Sequence, residues 1–169
     1  MIELPPEIHG WFVESGCTPN VAQPVPDFVP ADHPAHAILS AFSGIALLER
    51  DCTKDDRPPI EELKFCPFPS TPRHIRKWSA RLRSPLVGIA DECNCHAEIY
   101  VDKKGRCFSN SLIHNCFSFA GETLTDTLEG ILHSRRMRPR RAPLQPCFAM
   151  YGEAIKRGDP RIWDWKTNR

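Results

Sequence analysis

The run from Pro85 to Leu132 constrains this chain more than any other segment, because it alternates apolar and polar residues and then changes to a helical period. Ala97, Ile99 and Val101 alternate with His96, Glu98 and Tyr100, which gives a strand one apolar face and one mixed face. Asp102-Lys103-Lys104-Gly105 is a turn in which glycine supplies the positive φ, and Arg106 to Ser109 returns antiparallel. Leu86 to Ala90 is a short apolar strand ahead of this hairpin, and Asn115 to Phe119 is a further strand behind it. Thr123 then caps a helix carrying Leu124, Leu128, Ile131 and Leu132.

Upstream, Pro5 to Glu14 predicts a short helix with Ile8, Trp11 and Phe12 on one face. Asp32-His33-Pro34 marks a second helix start, with Pro34 near the first helical position and Ile38, Ala41 and Phe42 following at helical spacing. Ser43-Gly44 ends it and a strand begins at Ile45, running to Glu49. Glu62 to Phe68 is the next strand, and Pro67, which has no amide donor, places its end at a sheet edge. Thr71-Pro72 opens a third helix to about Arg83, with Ile75, Trp78 and Leu82 on its buried side. Prolines number 17 and cluster early, so residues 18–34 are expected to form an extended connector on the surface.

A chain of 169 residues is expected to form one domain over 1–169, and 41% hydrophobic with 25% charged residues excludes global disorder. No apolar run reaches the roughly 18 residues of a membrane helix, and MIELPPEIHG has no leader pattern, so a cytoplasmic protein with no membrane partner is expected. The eight cysteines show no repeated Cys-x-x-Cys pair and read as free structural thiols. Charge is uneven: residues 1–70 hold 11 acidic and 4 basic side chains, residues 71–169 hold 10 and 18. Such a division can steer a charged partner.

Several of these features together resemble the third subfamily of the SUKH superfamily. They are Val87-Gly88 in a strand, Ala97-x-Ile99-x-Val101, the Asp102-x-x-Gly105-Arg106 turn, Phe108 on the return strand and the closing helix Leu124 to Leu132. Gly10-Trp11 and the helix-to-strand junction Ile38 to Ile45 are also similar, although Ser43 stands where that family commonly has glycine. The similarity spans roughly residues 8 to 133 and leaves 134–169 as a basic, proline-containing extension. It implies an α+β fold, a mainly antiparallel sheet of about five or six strands flanked by helices. It also implies a non-catalytic immunity protein that blocks a cognate bacterial toxin by occlusion. A nuclease toxin would present a basic groove, which makes Asp51, Asp55, Asp56, Glu61, Glu62, Asp91 and Glu92 the candidate contacts. Trp78 reads as core, and Trp163 and Trp165 read as a docking pair near the terminus.

Two other chemistries are legible. Cys95-His96-Ala97-Glu98 echoes the His-x-Glu of zinc nucleobase deaminases, with Pro146-Cys147 downstream. Met150 stands where the second thiolate is required, and a thioether is a poor zinc ligand. A non-catalytic zinc site could instead draw on Cys93, Cys95, His96, Cys107, His114 and Cys116. Neither a metal, a cofactor nor a catalytic residue is expected. Arg135, Arg136, Arg138, Arg140 and Arg141 suggest phosphate contacts, but no aromatic residues interleave and the cations also suit the C-terminal end of a helix, so nucleic acid is not the expected partner.

Overall fold

Apolar alternation from Leu86 to Gly121 builds a sheet with two faces to cover, and the chain covers them with different helices. The computed structural model describes residues 2, 4–16, 21–47, 62–92, 96–114, 116–132, 138–140, 147–150, 152–156 and 158–162. In chain order the elements are α1 (Pro6–Glu14), α2 (Pro34–Phe42), β1 (Ala46–Leu47), β2 (Leu63–Phe68), α3 (Arg73–Leu82), β3 (Leu86–Glu92) and β4 (Ala97–Asp102). Then follow β5 (Cys107–Ser111), β6 (Cys116–Gly121), α4 (Leu124–Leu132), β7 (Arg138–Arg140), β8 (Cys147–Met150) and β9 (Glu153–Lys156). The first seven strands form one antiparallel meander in sequence order, and β8–β9 is a separate hairpin. This is the expected α+β architecture, with one more strand than the sequence suggests because Arg138–Arg140 pairs with β6.

Period-two alternation decides which helix each residue meets. Leu63, Phe65, Ile99, Val101 and Cys107 pack with Ile8, Trp11 and Phe12 of α1, Ile38 and Phe42 of α2, and Leu124 and Leu128 of α4. The rings of Phe12, Phe42 and Phe65 lie 4.6, 5.4 and 5.5 Å apart, so one triangle joins two helices to the sheet. On the opposite face Tyr100, Phe108 and Phe117 pack with Ile75, Trp78 and Leu82 of α3. Trp78 stacks on Phe117 at 4.7 Å and Phe117 on Phe108 at 5.3 Å, so Trp78 is core, as its spacing predicts. Each fully buried ring contributes about 1.5–3 kcal/mol by area. Gly88 keeps this face open: a Cβ there would enter the Phe68 ring, which packs edge-on against Tyr100 at 5.3 Å.

Local signals set the element ends. The buried Asp102 carboxylate accepts from the backbone N–H groups of Lys104 and Arg106 at 2.9 and 3.0 Å, and from Arg106 Nε and Nη2 at 2.9 and 2.6 Å. Four donors converge on one side chain at the β4–β5 turn, where Gly105 has φ +82°. Thr123 and Asp126 form a reciprocal cap on α4, each side chain accepting the other's backbone N–H at 3.1 Å. The start of α3 differs from expectation: Pro72 is the cap residue and no side chain bonds the first turn.

The cap of α2 is His33. Its Nδ1 accepts from Ala35 N–H at 3.2 Å, which puts the ring proton on Nε2, 3.3 Å from the Pro85 carbonyl. One imidazole therefore joins the start of α2 to the entry of β3. In the connector, Gln23 N–H donates to Ser40 of α2 and Val29 joins the core. At the other terminus Ile155 of β9 and Ile162 pack with Cys116, which brings part of the extension onto the domain.

Two outcomes follow for stability. A Cβ at Gly121 would sit 2.7 Å from Thr127 Oγ1 and 2.8 Å from Thr127 N, so Gly121→Ala is expected to cost about 1–3 kcal/mol, read as a fall of several degrees in melting temperature. Burial holds the His33 pKa below 6.5, although the Pro85 bond and the Asp102 charge oppose it. The unfolded chain then takes up the proton more readily, so the stabilisation is complete above pH 6.5 and is lost as pH falls towards the folded pKa. His33→Asn keeps a capping oxygen without the titration. Its urea midpoint is expected to drop less than wild type between about pH 7.5 and 5.5.

Candidate binding surface

Strand register lines up Ala46, Lys64, Asp91, Glu98, Asn110, Phe117 and Arg140 in one row across the sheet. Glu98 shares its face with Tyr100, two residues on, so this polar row borders the aromatic face covered by α3. Asp91 and Glu98 are direct cross-strand partners. Two carboxylates so placed repel, and each is held by its own donors. Cys66 Sγ–H donates to Asp91 Oδ2 at 3.2 Å. Tyr100 Oη–H and Asn110 Nδ2–H both donate to Glu98 Oε2, at 2.9 and 3.1 Å.

Burial and these bonds keep the protons on the donors Cys66 and Tyr100. Burial, with the bond to Asp91 adding to it, pushes the Cys66 thiol up to about 11. Burial also raises the Tyr100 phenol, reinforced by Glu98, and pushes the Cys107 thiol up to about 12. A thiol at those values is a poor nucleophile at neutral pH. The arrangement holds carboxylate oxygens in place and does not activate a thiol.

One row further lies the end of the sheet, formed by Leu47, Leu63, Glu92, Ala97, Ser111 and Cys116. The β5–β6 turn projects beyond it and exposes two consecutive aliphatic side chains, Leu112 at 49% and Ile113 at 61%. The turn is braced on both sides: Leu112 N–H donates to the His96 carbonyl at 2.9 Å and His114 N–H to Ser111 Oγ at 3.2 Å. An apolar pair on a braced turn, two rows beyond a row of held carboxylates, supplies the apolar and polar elements that a contact surface combines.

Of the residues proposed from sequence, Glu62 directly precedes β2 and is half-buried, as is Asp91. Glu92 is buried at the end of β3, on the side of the sheet opposite Asp91. Asp51, Asp55, Asp56 and Glu61 lie outside the described residues. His96 is in an exposed turn and Glu98 is in a strand, bonded to Tyr100 and Asn110; Cys93, Cys95 and Pro146 lie outside the described residues. Among the described residues no three ligand-type side chains cluster to hold a metal, and no helix is long and apolar enough to cross a membrane. Arg138 and Arg140 occupy β7, beside Phe119 and Phe117 in register, whereas Arg135, Arg136, Arg141, Trp163 and Trp165 lie outside the described residues. Leu112 and Ile113 escaped the sequence reading, although two aliphatics in the gap between two strands are a usable signal.

No protein-family model, curated protein or solved structure matches the chain.

Asp91→Asn removes the charged acceptor that holds the Cys66 proton. Cys66 alkylation, followed by peptide mass mapping at about pH 8, is expected to be slow in the parent protein and several-fold faster in this variant.

Proposed function

We propose that this chain is a non-catalytic immunity protein that binds a cognate protein toxin of a bacterial polymorphic toxin system and blocks it stoichiometrically. The observation that carries this reading is the exposed Leu112-Ile113 pair on a braced turn at the sheet end, two rows beyond the row of held carboxylates Asp91 and Glu98. In this role Leu112 and Ile113 enter an apolar recess of the toxin, and the carboxylates meet its basic rim. A nuclease toxin suits such a surface because its substrate groove is basic, and complementary charge speeds capture. Occlusion needs an interface of roughly 1,600 Å², and a few central anchors carry most of its energy. The order of elements from α1 to α4 also agrees with the features on which the SUKH resemblance rests.

Co-expression with the toxin domain encoded by the adjacent gene is expected to restore growth that the toxin domain alone arrests. Leu112→Glu with Ile113→Glu is expected to abolish the rescue and weaken the complex at least about 100-fold, with an unchanged melting temperature because both side chains are exposed. Growth of cells expressing the toxin domain alone, or full rescue by the double variant, overturns the proposal.

A further inference from the structure

A second surface, of opposite charge, is built on α3. Ile75, Trp78 and Leu82 bury one side of this helix against the sheet, and Arg73, Arg76 and Lys77 are exposed. The helix Arg73–Leu82 contains no acidic residue. Arg83 follows it directly and is also exposed. Lys103 N–H donates to Ser84 Oγ at 2.9 Å, so the β4–β5 turn is tied to the end of the helix and exposed Lys104 continues the cationic stripe. Arg73, Arg76, Lys77, Arg83 and Lys104 form no ion pair with a carboxylate among the described residues.

Two details show that the fold does not need these charges. Arg73 and Arg76 stand in the first turn of α3, at the positive end of the helix dipole, where cations are unfavourable. Arg83 has φ +52°, a left-handed conformation that glycine adopts more easily.

We propose that the exposed side of α3 and the adjoining β4–β5 turn bind the phosphate backbone of a nucleic acid without reading its sequence. Ten helical residues span about 15 Å, a length over which a duplex presents several phosphates. Arginine predominates, and its guanidinium matches phosphate oxygens in pairs. The exposed positions of the helix include no large apolar side chain, unlike the core of a protein interface. A membrane-surface helix presents its apolar side to lipid, whereas here Ile75, Trp78 and Leu82 are buried under the sheet. The sequence offers Arg135–Arg141 as an alternative site of phosphate contacts; α3 is a separate surface and does not depend on the toxin-binding reading.

The test is fluorescence anisotropy of a labelled DNA duplex of about 20 base pairs, titrated with the full chain at several salt concentrations. Five engaged cations predict a log–log salt slope of about −4.5. Arg73→Glu with Arg83→Gly suits the helix dipole and the left-handed position, so this variant is expected to melt no lower than the parent, to bind at least about tenfold more weakly at low salt and to lose about two units of slope. Lys77→Glu with Lys104→Glu, at two exposed sites, is expected to weaken binding similarly. No duplex binding by the parent, unchanged binding by both variants, or equally tight binding of poly-glutamate overturns the proposal.

Discussion

The convergence of four donors on the buried Asp102 carboxylate is the constraint on which the rest of the sheet depends. It holds the β4–β5 turn in one geometry, and the turn sets the register of the two central strands. Register has unusual leverage in a sheet covered on both faces, since a slip of one residue would exchange Tyr100 and Glu98 with Ile99 and Val101. Every later pairing, out to β7, is counted from this hairpin. Breaking a buried ion pair by removing one partner costs about 3–5 kcal/mol, so the register is well protected.

Given that register, the polar row is a by-product of sheet geometry with chemical consequences. Asp91 and Glu98 oppose each other because β3 and β4 are neighbours, and Cys66, Tyr100 and Asn110 supply the donors that make the opposition tolerable. The carboxylates of the polar row and the basic residues on α3 then place opposite charges at different positions. The opposite signs of the two halves of the sequence are partly the source of this separation, but the halves do not map onto two bodies: strands from both lie in one meander.

The four helices and the first six strands were legible because their periodicities are strong and their ends carry proline, threonine or glycine signals. The limits came where tertiary pairing outweighs local pattern. β3 runs two residues beyond its apolar stretch, and alternation then buries Glu92, which sequence places on the surface. β7 reads as a solvated tail because Arg-Pro-Arg has little strand propensity; its strand character comes from pairing with β6. The contacts of Glu98 with Asn110, twelve residues away, and of Cys66 with Asp91, twenty-five residues away, exist only once the register is set. The basic side of α3 was present in the sequence, yet its meaning depended on knowing which side of the helix the sheet covers.

β7 also has a bearing on association between copies. It closes one edge of the sheet, and at its midpoint Pro139 offers no amide hydrogen to an approaching strand, while the neighbouring positions are both arginine. A second molecule attempting to extend the sheet there meets a gap in the hydrogen-bond ladder. Edge-to-edge pairing of two copies is therefore disfavoured at β7.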